Sequence, residues 1–177
     1  MTAVPDVLSS RGLAIRYSSP LDPIAEPLLR ELDEEYLTRY GPNDEMRRHP
    51  AAEFAAPGGA FLLVLDGGVA VAGGAFRRYD DTTAEFKRVW THRPYRRTGL
   101  GSAVLRELEA EAARRGYRRV YLTTGPRQPE AVELYHRAGY RRLFDEADPV
   151  YADALAFEKF LDPVSGGAAA ARPADAR

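Results

Sequence analysis

The chain has 177 residues, 45% of them hydrophobic, which suits one globular domain with a buried core. A formal net charge of −1 excludes the strongly basic surface that attracts nucleic acid or anionic lipid. Cysteine is absent, which excludes disulfides and a thiol nucleophile, and no stretch approaches the ~20 apolar residues of a membrane span. No signal peptide is recognisable. We therefore expect a cytoplasmic protein. Its arginine-rich composition, with lysine only at positions 87 and 159, is typical of a GC-rich bacterial genome.

The first third of the chain predicts one strand and one long helix. Residues 1–10 contain few packing residues, so we expect a flexible N-terminus there. Residues 13–17 alternate well enough for a short strand. A helix follows, ended by Gly41-Pro42, because apolar residues recur every four positions at Ile24, Leu28, Leu32 and Tyr36. The polar segment 43–59 is predicted to be a loop with one short helix at most.

Three consecutive strands are predicted in the middle of the chain. Residues 61–65 form a continuous apolar run and should be buried on both faces. The turn signal Asp66-Gly67-Gly68 leads into a second hairpin arm over 69–76. Within that arm, Gly73-Gly74 indicates a bulge or a close backbone approach. The third strand is predicted over 82–91.

Helices and strands alternate in the last part of the chain. A helix from Leu100 ends at Gly116, a strand follows over 119–123, and a second helix over 131–138 ends at Gly139. The last strand is predicted over 154–161, and residues 162–177 are predicted to be a disordered tail. The order β-α-β-β-β-α-β-α-β predicts one α/β domain over residues 11–161, a mixed sheet flanked by helices. Its unit 82–123 should be a right-handed parallel crossover.

A glycine-containing turn opens the helix at Leu100. Helix N-termini present unpaired N–H groups and the positive end of the helix dipole, which stabilise an anion such as pyrophosphate. Gly99 and Gly101 remove the Cβ atoms that would keep a phosphate away, and Arg96 and Arg97 can add charge-assisted hydrogen bonds. The alternative is that the glycines only permit tight packing and the arginines are solvated. The spacing is neither a dinucleotide fingerprint nor a P-loop.

The same residues carry a family resemblance. Arg96-x-x-Gly99-x-Gly101 matches the Gln/Arg-x-x-Gly-x-Gly/Ala signature of the GNAT superfamily of acetyl-CoA-dependent N-acetyltransferases. Residues 84–89 resemble the strand before that signature, and 122–125 with 131–140 resemble the segment after it. The resemblance covers about residues 61–143. It implies acetyl transfer from acetyl-CoA to an amine of a small molecule or peptide, by direct attack in a ternary complex.

The resemblance also implies where the coenzyme binds. In that family the signature strand and the next strand splay apart, and pantetheine lies in the gap between them, while the loop 96–102 holds the pyrophosphate. His92-Arg93-Pro94 departs from the usual acidic-Pro stretch, which leaves the path of the loop open, and Gln128 stands where many relatives carry asparagine. The coenzyme-binding residues predicted in this way are Val89, Trp90, Thr91, Arg96, Arg97, Thr98, Gly99, Leu100, Gly101, Ser102 and Gln128.

Two residues are candidates for catalysis. An amine near neutral pH is protonated and needs a base before it can attack a thioester. Glu85 lies at the strand position where histone-modifying relatives carry a glutamate base; the alternative is an exposed glutamate paired with a neighbouring arginine. Tyr135 lies on the apolar face of its helix, and the resemblance makes it the proton donor to the coenzyme sulfur. The alternative is a core tyrosine bonded to a carbonyl.

The acceptor site is predicted less sharply. The first helix and the loop after it offer Glu35, Tyr36, Tyr40 and Phe54 to a cationic amine, although they also suit a solvated helix face. Two other functions stay open: a non-catalytic acyl-CoA-binding regulatory module, and a nucleotide-binding domain that uses the Gly99 turn for ATP. Scattered histidines argue against a metal site. No nucleic-acid or membrane partner is expected, and a homodimer is left open.

Overall fold

A computed structural model describes residues 7–145 and 154–162. Within them, seven strands form one sheet in the order β1-β2-β3-β4-β5-β7-β6. The helices are α1 (Val7–Ser10), α2 (Glu26–Tyr40), α3 (Leu100–Arg114) and α4 (Pro129–Arg137). The strands are β1 (Ala14–Tyr17), β2 (Ala60–Asp66), β3 (Val69–Arg78), β4 (Thr83–Thr91), β5 (Arg119–Thr124), β6 (Arg141–Arg142) and β7 (Leu155–Phe160).

The sheet is mixed, as the order of elements predicts. β1 to β4 pair antiparallel, β4 and β5 pair parallel around α3, and β7 pairs antiparallel with β5 and β6. Residues 60–64 of β2 are buried on both faces, in agreement with their continuous apolar run. The described residues therefore form the predicted α/β layer arrangement.

Each face of the sheet has its own core. On one face, α3 packs through Val104, Leu105 and Leu108 against sheet residues such as Phe76 and Phe86. On the other face, Leu28 and Leu32 of α2 pack against a cluster that includes Phe61, Leu63 and Trp90. Lys159 of β7 links the sheet to α3, because its Nζ donates to Glu109 Oε2 at 2.8 Å. The sheet thus separates α3 and α4 from α2.

Two short elements depart from the sequence-based expectations. Residues 7–10 fall in the segment expected to be flexible, yet they form α1, and Leu8 is buried against the α3 side of the sheet. β6 was not predicted, because two arginines carry no strand pattern of their own and pair with β7 only through the fold. The predicted short helix of the 43–59 loop is a 3-10 turn at Ala51–Phe54. Residues 1–6 and the tail from 163 lie outside the described residues.

A bulge in β4 lies opposite the predicted glycine pair of β3. The register passes from Gly73 opposite Trp90 to Ala75 opposite Lys87, so β4 has one extra residue. Arg88 takes a left-handed φ of 57° at this point. A Cβ at Gly74 would lie 2.9 Å from Leu108 and Val104, which means that α3 packs directly on the β3 backbone. The predicted close approach therefore occurs at Gly74, while the extra residue of the bulge lies in the neighbouring strand β4.

β4 and β5 separate beyond the bulge. Their parallel pairing runs from Thr83 opposite Arg119 to Phe86 opposite Leu122 and then stops, although β4 continues to Thr91. β5 continues to Thr124, paired only with β7. The facing edges of the two strands are therefore open over this stretch, and we call the space between them the coenzyme gap.

Candidate active site

The turn after β4 brings a helix N-terminus to the mouth of the coenzyme gap. Thr98 Oγ1 donates to Tyr95 C=O at 2.5 Å, and Gly99 closes the turn with a φ of 89°. The first helical hydrogen bond is donated by Ala103 N–H to Gly99 C=O at 3.0 Å. The N–H groups of Leu100, Gly101 and Ser102 precede it and have no helical acceptor, which is the arrangement that binds an anion.

The two arginines of this turn point in different directions. Arg96 folds back towards β4: its Nε donates to Thr91 C=O at 3.2 Å, and its guanidinium lies 4.3 Å from the centre of the Trp90 ring. Arg97 is exposed beside the helix N-terminus and takes a φ of 60°. Arg97 thus keeps an exposed side chain, whereas Arg96 bonds to the backbone at the end of β4.

Two buried donors near Arg96 have no hydrogen-bond partner within the described residues. They are Trp90 Nε1 and Arg96 Nη2. The indole belongs to the core on the α2 side of the sheet, so Trp90 can reach a coenzyme only through its backbone. Val89 faces the other way and packs on the α3 side. Side chains of β4 therefore alternate into the two cores, and its backbone edge faces the gap.

Gly101 fits a tight contact between the two helices next to the gap. A Cβ at this position would lie 3.2 Å from Leu134 Cδ2 of α4 and 3.8 Å from Thr91 Oγ1. The packing alternative for Gly101 is therefore real, and it does not compete with anion binding, since Gly101 also lies in the first turn of α3. At Gly99 a Cβ would meet only Val7 Cγ2, at 3.9 Å, so positive φ is what selects glycine there.

Glu85 is buried, with 6% of its surface exposed, and forms ion pairs through both oxygens. Arg77 Nε lies 2.7 Å from Oε2, and Lys87 Nζ lies 3.4 Å from Oε1. Arg77 also pairs with Glu53, and Lys87 with Glu45, each at 3.0 Å. The expected pairing with a neighbouring arginine thus exists, although on a buried carboxylate rather than an exposed one.

Tyr135 projects from α4 into the core beside the coenzyme gap. It is 7% exposed, and its ring packs against Phe157 and Tyr140 at centroid distances of 5.5 and 5.8 Å. No hydrogen bond to its hydroxyl is recorded within the described residues, which differs from the alternative of a core tyrosine bonded to a carbonyl. Burial raises the pKa of the Tyr135 phenol. The side chain is therefore a neutral hydroxyl available for a ligand.

The residues predicted to contact the acceptor fall into two groups. Burial raises the pKa of Tyr36, and the nearby Tyr135 raises it further. Tyr40 packs on Gly125, and its hydroxyl accepts from Arg127 N–H at 3.1 Å. Tyr36 therefore borders the candidate site, and Tyr40 closes it at the turn after β5.

Glu35 and Phe54 are occupied by the protein itself. Burial opposes ionisation of Glu35, but hydrogen bonds from Arg39 and Arg93 outweigh it and hold its pKa below the usual range. Phe54 is 1% exposed and lies under the Arg88 guanidinium at 4.5 Å. Gln128, predicted to contact the coenzyme, is the N-cap residue directly before α4, and its side chain accepts from Thr124 Oγ1 at 3.1 Å. Each of the three side chains therefore has a structural partner.

Sequence reasoning missed several charged residues that surround the gap. Arg39, Arg93, Arg127 and Glu130 connect α2 to the loops on both sides of it. Nothing in their local pattern distinguishes them from solvated charges, because the contacts that join one element to another link residues far apart along the chain, and the Arg39–Glu35 pair within α2 looks like any surface i,i+4 pair.

The described residues contain no group of histidine, cysteine, aspartate or glutamate side chains that could hold a metal ion. Among their helices, none has the length and apolar character needed to cross a membrane.

The chain is similar in sequence to a known protein family and to a named relative. The model of the acetyltransferase (GNAT) family matches residues 26–140. The Xenopus tropicalis protein named probable N-acetyltransferase 14 is 36% identical over 62 residues, a stretch that covers 35% of this chain and 30% of that protein. The chain thus aligns with under a third of that relative's length.

Solved structures share the fold over nearly their whole length. A Klebsiella pneumoniae protein provisionally named an acyl-CoA N-acyltransferase is 27% identical, with a TM-score of 0.67 over 85% of this chain and 98% of the other. A GNAT family acetyltransferase from Elizabethkingia anophelis, solved with acetyl-CoA bound, is 18% identical, with a TM-score of 0.59 over 84% of this chain and 98% of the other. The second likeness concerns the fold alone.

Proposed function

This chain belongs to the acetyltransferase (GNAT) family, and we propose that it transfers an acetyl group from acetyl-CoA to an amine of a small molecule or peptide. One observation carries the proposal: β4 and β5 stop pairing beyond Phe86 and Leu122, before a turn that leads into a helix N-terminus with unpaired N–H groups. In this proposal the pyrophosphate lies at that turn, and the thioester lies beside the buried Tyr135.

The proposed coenzyme contacts are mainly made by backbone. The N–H groups at the start of α3 bind the pyrophosphate, and Arg97 adds charge from the exposed side. The open edge of β4 from Val89 to Thr91 provides hydrogen-bonding groups for the pantetheine amides. Acetyl-CoA supplies the activated acyl group when it is bound, and a backbone N–H near the bulge can stabilise the charge that develops on the thioester oxygen.

Tyr135 acts on the leaving sulfur in this proposal. Burial raises its pKa, so the phenol stays protonated at neutral pH and donates a hydrogen bond to the departing thiolate. Complete proton transfer from a phenol to a thiolate is uphill, because thiols ionise near pH 8.5 and phenols near pH 10 or above. Stabilisation by hydrogen bonding is therefore the role that fits the environment of Tyr135.

Glu85 is the proposed base, acting on the amine directly or through water. Its ion pairs with Arg77 and Lys87 compete with this role, since a carboxylate must give up part of its pairing to accept a proton. The same contacts favour a second candidate function, a non-catalytic acyl-CoA-binding module in which Glu85 only neutralises two buried cations.

Release of CoA thiol in the presence of an amine library separates these functions. Because the chain contains no cysteine, a colorimetric thiol reagent detects the product without any signal from the protein. Amine-dependent thiol release supports acetyl transfer. Tight acetyl-CoA binding without release for any amine supports the binding module, and competition of ATP with CoA for the turn supports a nucleotide-binding domain instead.

A further inference from the structure

α2 crosses the coenzyme gap on the side of the sheet opposite α3 and α4. Towards its middle, it contacts the loop after β4: Arg93 N–H donates to Glu31 Oε1 at 3.0 Å, and Arg93 Nη2 donates to Glu35 Oε2 at 3.0 Å. At its C-terminal end, it contacts the turn after β5, where Arg127 Nη1 donates to Arg39 C=O at 2.6 Å. One helix is therefore fixed to both sides of the gap.

A continuous chain of side chains links these two attachments. Glu35 Oε1 accepts from Arg39 Nε at 2.7 Å, while its other oxygen pairs with Arg93. Arg39 in turn pairs with Glu130 in the first turn of α4. We call this chain, Arg93–Glu35–Arg39–Glu130, the ion-pair bridge. It runs from the loop that precedes the pyrophosphate turn to the helix that carries Tyr135.

Burial distinguishes the middle of the bridge from ordinary surface pairs, while its two ends, Arg93 and Glu130, are 57% and 50% exposed. The Glu35 and Arg39 side chains are 10% and 21% exposed, whereas those of Arg30 and Glu26, an i,i+4 pair on the same helix, are 62% and 68% exposed. Ion pairs with that much exposure contribute little, while a buried charge that loses its partner is strongly unfavourable. Both Glu35 oxygens are engaged by arginines, so this carboxylate is not free to bind a cationic acceptor.

We propose that the ion-pair bridge holds the two sides of the coenzyme gap at their working separation and couples the pyrophosphate turn to the position of Tyr135. Glu35 and Arg39 are then positioning residues for acetyl transfer, not acceptor ligands. This inference rests on the proposed function, because it assigns the gap to acetyl-CoA. Beyond Phe86 and Leu122 no strand pairing joins β4 to β5 within the described residues, so the bridge replaces the missing ladder.

A double-mutant cycle between the two ends of the bridge tests the coupling. Arg93→Gln cuts it beside the coenzyme turn, and Glu130→Gln cuts it on α4. If the four residues act as one chain, either cut breaks it. Each single variant should then lower kcat/KM for acetyl-CoA by about 5- to 10-fold, within the usual range of coupling between sites. The double variant should have about the same kcat/KM as the less active of the two single variants.

The division between kcat and KM gives a second readout that a purely structural role would not change. Through the bridge, Arg93→Gln at the coenzyme end also lowers kcat, and Glu130→Gln at the Tyr135 end also raises KM for acetyl-CoA. The coupling would be refuted if the two single losses in kcat/KM multiplied in the double variant. It would also be refuted if Arg93→Gln changed only KM and Glu130→Gln changed only kcat.

Two controls complete the design, the Arg30→Gln variant and the wild-type protein. Arg30→Gln breaks the exposed pair on the same helix and should stay within about twofold of the wild type. Glu130 is half exposed, and Arg39 keeps its pair with Glu35 when Glu130 becomes glutamine, so Glu130→Gln leaves no buried charge without a partner. If the wild-type protein neither binds nor turns over acetyl-CoA, the proposed function itself is refuted. That result differs from an active wild-type enzyme in which the double-mutant cycle shows no coupling.

Discussion

Gly99→Ala probes the pyrophosphate turn with a cost that can be worked out from its geometry. Gly99 has a φ of 89°, and an added Cβ would meet only Val7 Cγ2, at an ordinary contact distance of 3.9 Å. The destabilisation therefore comes from the left-handed backbone alone, roughly 1–2 kcal/mol. For a chain of this size that lowers the melting temperature by roughly 2–8 °C. Coenzyme affinity should fall in addition, because the methyl group lies where the pyrophosphate approaches the N–H groups.

Gly116→Ala is the matched control at the opposite end of the same helix. Gly116 has a φ of 91°, and a Cβ there would have no atom within 4 Å. The two variants should lose the same stability by differential scanning calorimetry. In titration calorimetry, only Gly99→Ala should bind acetyl-CoA at least about tenfold more weakly, which is about 1.4 kcal/mol. Equal coenzyme affinity in two folded variants would refute the assignment of this turn to the pyrophosphate.

Three other outcomes follow from the site and its surroundings. Tyr135→Phe should lower turnover about 10- to 10³-fold with little change in melting temperature, because the hydroxyl has no hydrogen-bond partner to lose in the part of the chain that the structure describes; full turnover would show that water suffices. Glu85→Gln should lower turnover by about 10²-fold or more at neutral pH if Glu85 is the base, whereas wild-type turnover with a lower melting temperature would make it a structural ion. The Arg141 guanidinium, with Arg119, holds the pKa of Glu158 below its ordinary 4.5. The ionised Glu158 carboxylate should therefore stabilise the folded protein fully above pH 4.5, and this contribution should be lost as the pH falls further. In Glu158→Gln the free energy of unfolding should fall less steeply below about pH 4.5.

Local patterns were enough to predict most of the elements. The four-residue apolar repeat that begins at Ile24 corresponds to α2, and the apolar run at Phe61 corresponds to a strand buried on both faces. Gly73-Gly74 indicated the bulge region, because only a residue without a side chain lets α3 approach so closely. The two apolar patterns depend on neighbours within a few residues, and a glycine pair inside a strand is visible by itself, although its partner helix α3 is distant along the chain.

Side-chain direction at the site could not be predicted in the same way. Arg96 was expected at the phosphate, yet it turns back onto Trp90 because the α2 carboxylates lie on that side of the loop. Glu35 was expected to be available to an acceptor, yet its second arginine is 58 residues further along the chain. Such contacts are decided when distant segments pack together, and no periodicity within one segment records them.

The two lysines of the chain have a chemical consequence for an enzyme that handles a reactive thioester. Lys87 is paired with Glu45 and Glu85, and Lys159 with Glu109, while every other basic side chain except histidine is arginine. An ammonium group held by carboxylates is a poor nucleophile, since it must first lose its proton and its partners. If the chain transfers acetyl groups as proposed, its lysine side chains offer almost no free amine for self-acetylation, which leaves the acetyl group for an external acceptor.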